Sequence, residues 1–138
     1  MAVLITVAKT DTFEVQRQKI NSISDNVYEI NRRLDWSEIT VTGSSNQFVA
    51  DFLAASEFRT TKYLIQVQET GTSNFYSTEV FIMHDGSEVY MTQYGTLNTN
   101  SSPVTSIEAD IDSGNVRLLI TPSVSNTTTK ISRISLTA

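Results

Sequence analysis

The chain has 138 residues, 39% of them hydrophobic and 18% charged, with a formal charge of −5, two prolines, five glycines and no cysteine. These are the proportions of a folded domain with an appendage. They exclude a disulfide scaffold or thiolate chemistry, and the acidic balance argues against a partner of nucleic acid. Ser and Thr make up about a quarter of the residues, a bias toward strands and turns.

Charge is unevenly placed. Residues 1–34 hold five bases and four acids, whereas the remainder holds five bases and eleven acids. The opening MAVLITVAKTD has a short apolar run but no basic region before it and no cleavage site, so it is not read as a signal peptide. No run approaches the length of a membrane helix, so no membrane partner is expected. Val3–Val7 (VLITV) is β-branched and predicts a short strand or extended arm. Asp11 then suits a helix N-cap, with Glu14 placed to complete a capping box.

From Thr12 to about Arg33 the period is helical. Phe13, Ile20, Val27 and Leu34 stand seven apart, and Gln16, Ile23 and Ile30 fill the second series, so six of seven seam positions are apolar. The flanks, Arg17, Lys19, Ser24, Asn26, Asn31 and Arg33, are polar. A stripe this narrow suits a helix–helix seam, and isoleucine in both series favours three or four helices over two. Asn21, Ser22, Ser24, Asp25 and Asn26 make the helix too weak to stand alone, so packing partners must hold it. The alternative is an amphipathic helix lying on its own β domain.

Asp35–Asn46 leaves the helix, and strands follow near 47–54, 62–69, 76–84, 88–94, 105–111, 115–121 and 128–136. Asp85-Gly86 and Asp112-Ser113-Gly114-Asn115 supply tight turns. The run VRLLI (116–120) is apolar enough for a central strand. In the last strand Ile131 and Ile134 cannot both face inward on a regular pleat, which predicts a bulge near Arg133. Strands without intervening helices imply a mainly β protein. The expected fold is a C-terminal antiparallel β-sandwich, jelly-roll-like, behind an N-terminal arm and one coiled-coil-like α-helix. Three parts are expected: 1–34 as arm and oligomerising helix, 35–56 as a connecting segment with a first strand, and 57–138 as the sandwich module.

Chemistry-bearing patterns are sparse. His84 and Asp85 are adjacent at a hairpin, where neighbours on a strand point to opposite faces and a turn duty accounts for the aspartate. Glu108, Asp110 and Asp112 share a strand face, a spacing that would serve Ca²⁺ only if another strand added oxygens. Glu79 and Glu88 are too scattered for a carboxylate pair. Trp36, Tyr63, Tyr76, Tyr90 and Tyr94 are candidates for a sugar platform, with core packing as the competing duty. Asn100-Ser101-Ser102 and Asn126-Thr127-Thr128 match glycosylation acceptors without a secretory signal to give them weight. No nucleophile setting, phosphate loop or metal-ligand spacing is present, so neither an enzyme nor a cofactor is expected.

Two stretches go further than composition. ITVAKTDTFEVQRQKINSISDNVYEIN resembles the N-terminal segment of fibre and other virion structural proteins of T4-like phages, notably cyanophages. The second half, with TKYLIQV, EV-x-x-x-HDG (79–86), the YGT stretch at 94–96 and D-I-x-x-GNVRLL (110–119), resembles a small β module of the same virion proteins. The resemblance implies a virion location, an anchoring first segment, and a short homotrimeric fibre-like or decoration protein with exposed β heads. Its implied partners are further copies of itself, other capsid, neck or tail proteins, and a host surface glycan. Capsid cement and a glycan-binding adhesion module are the alternatives. Fibre proteins that begin this way continue into long repetitive shafts, which this chain lacks.

Overall fold

A computed structural model describes residues 12–138; the arm expected at Val3–Val7 and the expected cap Asp11 lie outside the described residues. Helix α1 (Phe13–Arg33) begins behind Thr12. The Thr12 hydroxyl accepts from the Val15 N–H at 3.4 Å, and its carbonyl accepts from the Gln16 N–H at 2.9 Å. Thr12 therefore takes up an N–H group that a helix start otherwise leaves unpaired. Glu14 accepts from Arg17 at 2.6 Å and Gln18 at 3.0 Å, and the capping box expected with Asp11 lies outside the described residues.

Eight strands follow: β1 (Leu34–Val41), β2 (Phe48–Ala54), β3 (Phe58–Glu69), β4 (Phe75–His84), β5 (Val89–Asn98), β6 (Val104–Asp112), β7 (Asn115–Pro122) and β8 (Thr127–Thr137). All pairings are antiparallel, in a five-stranded sheet ordered β1-β8-β3-β4-β5 and a three-stranded sheet ordered β2-β7-β6. The chain is mainly β, with the two sheets packed as a sandwich, as the strand spacing predicts.

Residues 35–56, expected as a connection with one strand, supply two, one to each sheet. Asp35, Ser37 and Glu38 dilute the strand signal of β1. Ile39 nevertheless packs against the core, and the whole strand is paired with β8 from Leu34↔Ile134 to Val41↔Thr127.

The core lies between the sheets. Tyr63, Ile65, Val67, Val80 and Ile82 face inward from one, and Ala50, Ile107, Val116, Leu118 and Ile120 from the other. Full burial of an aliphatic side chain of this kind contributes about 1.5–3 kcal/mol. β7 is central in its sheet, as VRLLI requires. Two turns behave as the sequence predicts. Asp85 Oδ1 accepts from the Ser87 and Glu88 N–H groups at 2.8 Å each, with Gly86 at φ +106°. Ser113 and Gly114 sit at φ +52° and +80°, the double positive φ of a two-residue hairpin.

The bulge expected near Arg133 is absent: β8 pairs with β1 in unbroken register. Ile131 and Ser135 face the core while Ile134 is exposed, so the two isoleucines never compete for one face. Arg133 occupies the inward position between them, with its charge met by Asp51 of β2. A bulge does occur in β2, between Val49 and Asp51, and it lets Ala50 and Asp51 both turn inward. β5, an edge strand of the five-stranded sheet, is exposed along almost its entire length.

Candidate assembly surface

The seam residues on α1 lie open on their own chain. Ile20 is 59% and Val27 50% exposed, and Phe13, Ile23 and Ile30 are exposed as well. Gln16 is half-buried. Leu34 has left the helix and is the first residue of β1, paired with Ile134. The sandwich therefore leaves the helix stripe uncovered. An isolated helix of about 20 residues with this many Asn and Ser residues is marginal in water, so its apolar stripe needs a cover from elsewhere.

A second apolar surface continues from the first. Strand alternation sends Tyr63, Ile65 and Val67 inward and Lys62, Leu64 and Gln66 outward, and register carries the outward set across the sheet. One row runs Trp36, Ser132, Leu64, Glu79, Tyr94 across all five strands. The neighbouring rows add Ile134, Phe81, Leu136, Met83 and Tyr90, all exposed. Charges on this face are paired within the chain: Lys62 with Glu79 at 3.2 Å and Lys130 with Glu38 at 3.4 Å. Lys62 also lies 5.7 Å above the Tyr94 ring. Its ammonium is held above the ordinary lysine range, first by Glu79 and then by Tyr94.

The outer face of the three-stranded sheet differs. Arg117 is gripped by Asp110 at 2.6 Å and by Asp112 at 2.9 Å, and Gln47 donates to Glu108 at 3.0 Å. Arg117 holds the Asp110 carboxyl below its usual range. Of the three carboxylates expected as a shared face, Asp110 and Asp112 are thus held by Arg117 and Glu108 by Gln47. Among the described residues no group of three His, Cys, Asp or Glu is placed to hold a metal ion.

His84 and Asp85 diverge. His84 is buried and its Nε2 donates to the Phe58 carbonyl at 2.5 Å, while Nδ1 has no partner among the described residues. Asp85 is spent on the turn, and the Glu88 and Ser87 N–H groups hold its carboxyl below the usual range. The aromatic set divides too: Tyr63 and Tyr76 are core, whereas Trp36, Tyr90 and Tyr94 are exposed on the outer face. The sequence reading does not single out Leu64, Phe81, Met83 or Leu136, and it takes Ile134 only as a slip of phase. For Leu64, Phe81 and Met83 the signal lies in YLI (63–65) and VFIM (80–83), which are apolar on both faces of a strand.

No protein-family model and no curated protein matches this sequence. Among solved structures, the tailspike protein of Acinetobacter phage vB_ApiP_P1 is similar at 14% identity and a TM-score of 0.45, over 73% of this chain and 22% of that one. The tailspike gp49 of Acinetobacter baumannii bacteriophage Fri1, a capsular polysaccharide depolymerase, is similar at 14% identity and a TM-score of 0.41, over 75% of this chain and 19% of that one. The chain spans about a fifth of the length of these tailspikes. Likeness of this degree carries no argument about function.

Proposed function

We propose that this chain is a structural component of a bacteriophage virion, a short homotrimeric fibre-like or decoration protein. Residues 1–34 anchor and assemble it, and the sandwich, with the strands of 35–56 built into it, is displayed. One observation carries the assembly: Ile20, Ile23, Val27 and Ile30 form an apolar stripe on α1 that its own sandwich leaves open. Isoleucine at both seam series favours three helices or four over two, and the choice of three comes from the resemblance to fibre proteins. The virion location rests on the same resemblance, carried by residues 5–31 and by the HDG and GNVRLL stretches. The partners are two further copies and the capsid, neck or tail protein that receives the first segment.

The chemistry of the described residues suits scaffolding. Titratable side chains are engaged in turns and ion pairs, as with Asp85 and the Arg117 cluster. No helix among the described residues is long and apolar enough to cross a membrane. Peptide mass mapping of purified phage particles tests the location. The chain is expected in particles that survive a density gradient; recovery only in the unassembled lysate fraction would contradict it.

A further inference from the structure

We propose that the outer face of the five-stranded sheet is covered by neighbouring copies of this same chain, so that it and the α1 stripe form one continuous interface. The inference rests on the trimer reading and adds a second surface to it.

Three observations point to a second copy. The first is continuity: α1 passes into β1 with no loop residue, and Leu34, the last seam position, opens the strand opposite Ile134. Trp36 follows two residues later and is 73% exposed. Helices that meet along the stripe therefore bring the β1 edges of their sheets together at the stripe's end.

The second is charge. Lys62–Glu79 and Lys130–Glu38 neutralise the face within each chain, so identical faces can approach without repulsion. The outside of the other sheet, with Asp110 and Asp112 on Arg117 and Glu108 on the neutral Gln47, carries net negative charge and would repel its like. The third is extent. Five strands about 4.8 Å apart span roughly 20 Å, and about 20 Å along the strands gives a face of about 400 Å² on which apolar side chains surround the two ion pairs. The helix stripe prolongs it by about 30 Å.

Trp36 is the only tryptophan, so its fluorescence reports the face directly. In the assembled full-length chain its emission should be blue-shifted and shielded from iodide, and dilution to single chains should reverse both. Leu64→Lys replaces a side chain exposed in the single chain, so the sandwich itself is spared. It should raise the dissociation constant about tenfold or more, whereas Phe52→Lys, equally exposed on the other sheet, should change it less than about twofold. An oligomer in which Trp36 stays fully quenchable and Leu64→Lys assembles normally overturns the face and leaves the helix seam standing. A chain that is monomeric overturns both. Shielding of Trp36 that appears only on adding purified host surface polysaccharide also overturns the second copy, in favour of a glycan occupant.

Discussion

Asp51 of β2 and Arg133 of β8 meet between the two sheets, Oδ2 to Nη1 at 2.5 Å, with only 15% and 13% of their side chains exposed. The pair is an ionic link across the sandwich, and the β2 bulge is what brings Asp51 to it. Removing one partner of a buried pair leaves an uncompensated charge, whereas removing both with apolar residues is far milder. Arg133→Met is expected to cost about 3 kcal/mol, and the Asp51→Leu, Arg133→Met double variant to recover most of that loss. Denaturant unfolding of the four members of the cycle measures it. A loss in the double variant equal to the sum of the two single losses would mean that the pair is not coupled.

Tyr63 lies beside that pair, and its phenol is held well above the ordinary value of 10.0, first by burial and then by the charge of Asp51. The unfolded chain releases this proton near pH 10 and the folded chain keeps it. The stability from Tyr63 is thus complete below pH 10 and declines as pH rises beyond it, by up to about 1.4 kcal/mol per pH unit. Unfolding midpoints taken from pH 9 to 11.5 should fall more steeply for the wild type than for Tyr63→Phe. Parallel curves would count against the buried, neutral phenol.

Ile23 sits mid-stripe on α1 and is exposed in the single chain. Ile23→Asp should abolish assembly, because each copy would bury an unpaired carboxylate at a cost of several kcal/mol in all. The β signal in circular dichroism should persist, since no core side chain is touched. Helical signal should drop, because the helix composition cannot sustain it alone. Normal assembly of this variant would show that the stripe is not the seam.

At the β6–β7 hairpin Gly114 adopts φ +80°, and a Cβ added there meets nothing within 4 Å. Gly114→Ala therefore isolates backbone strain, with an expected loss of about 1 kcal/mol and no packing change. A loss much larger, seen by thermal unfolding, would indicate a contact the hairpin geometry does not contain.

Much of this architecture was legible. Helix α1, seven strands, the two turns and the central place of VRLLI follow from periodicity and from Gly and Asp placement. Three features are not. The sequence of β1 resembles a connection because Asp35, Ser37 and Glu38 weaken its pattern, and only pairing with β8 makes it a strand. Arg133 looks like a slip of phase because a single strand cannot reveal that Asp51, 82 residues earlier in the chain, meets the charge from the opposite sheet. The outer apolar face was hidden for a similar reason: strands apolar on both sides look like central strands of a thicker core. Here the three-stranded sheet covers one side of the five-stranded sheet and leaves the other open.

Sedimentation equilibrium of the full chain at micromolar concentration tests the central claim most directly. A species of three times the 15.3 kDa chain mass is expected, dissociating on Ile23→Asp substitution. A single species at 15.3 kDa, with the α1 stripe still open to solvent, would contradict it.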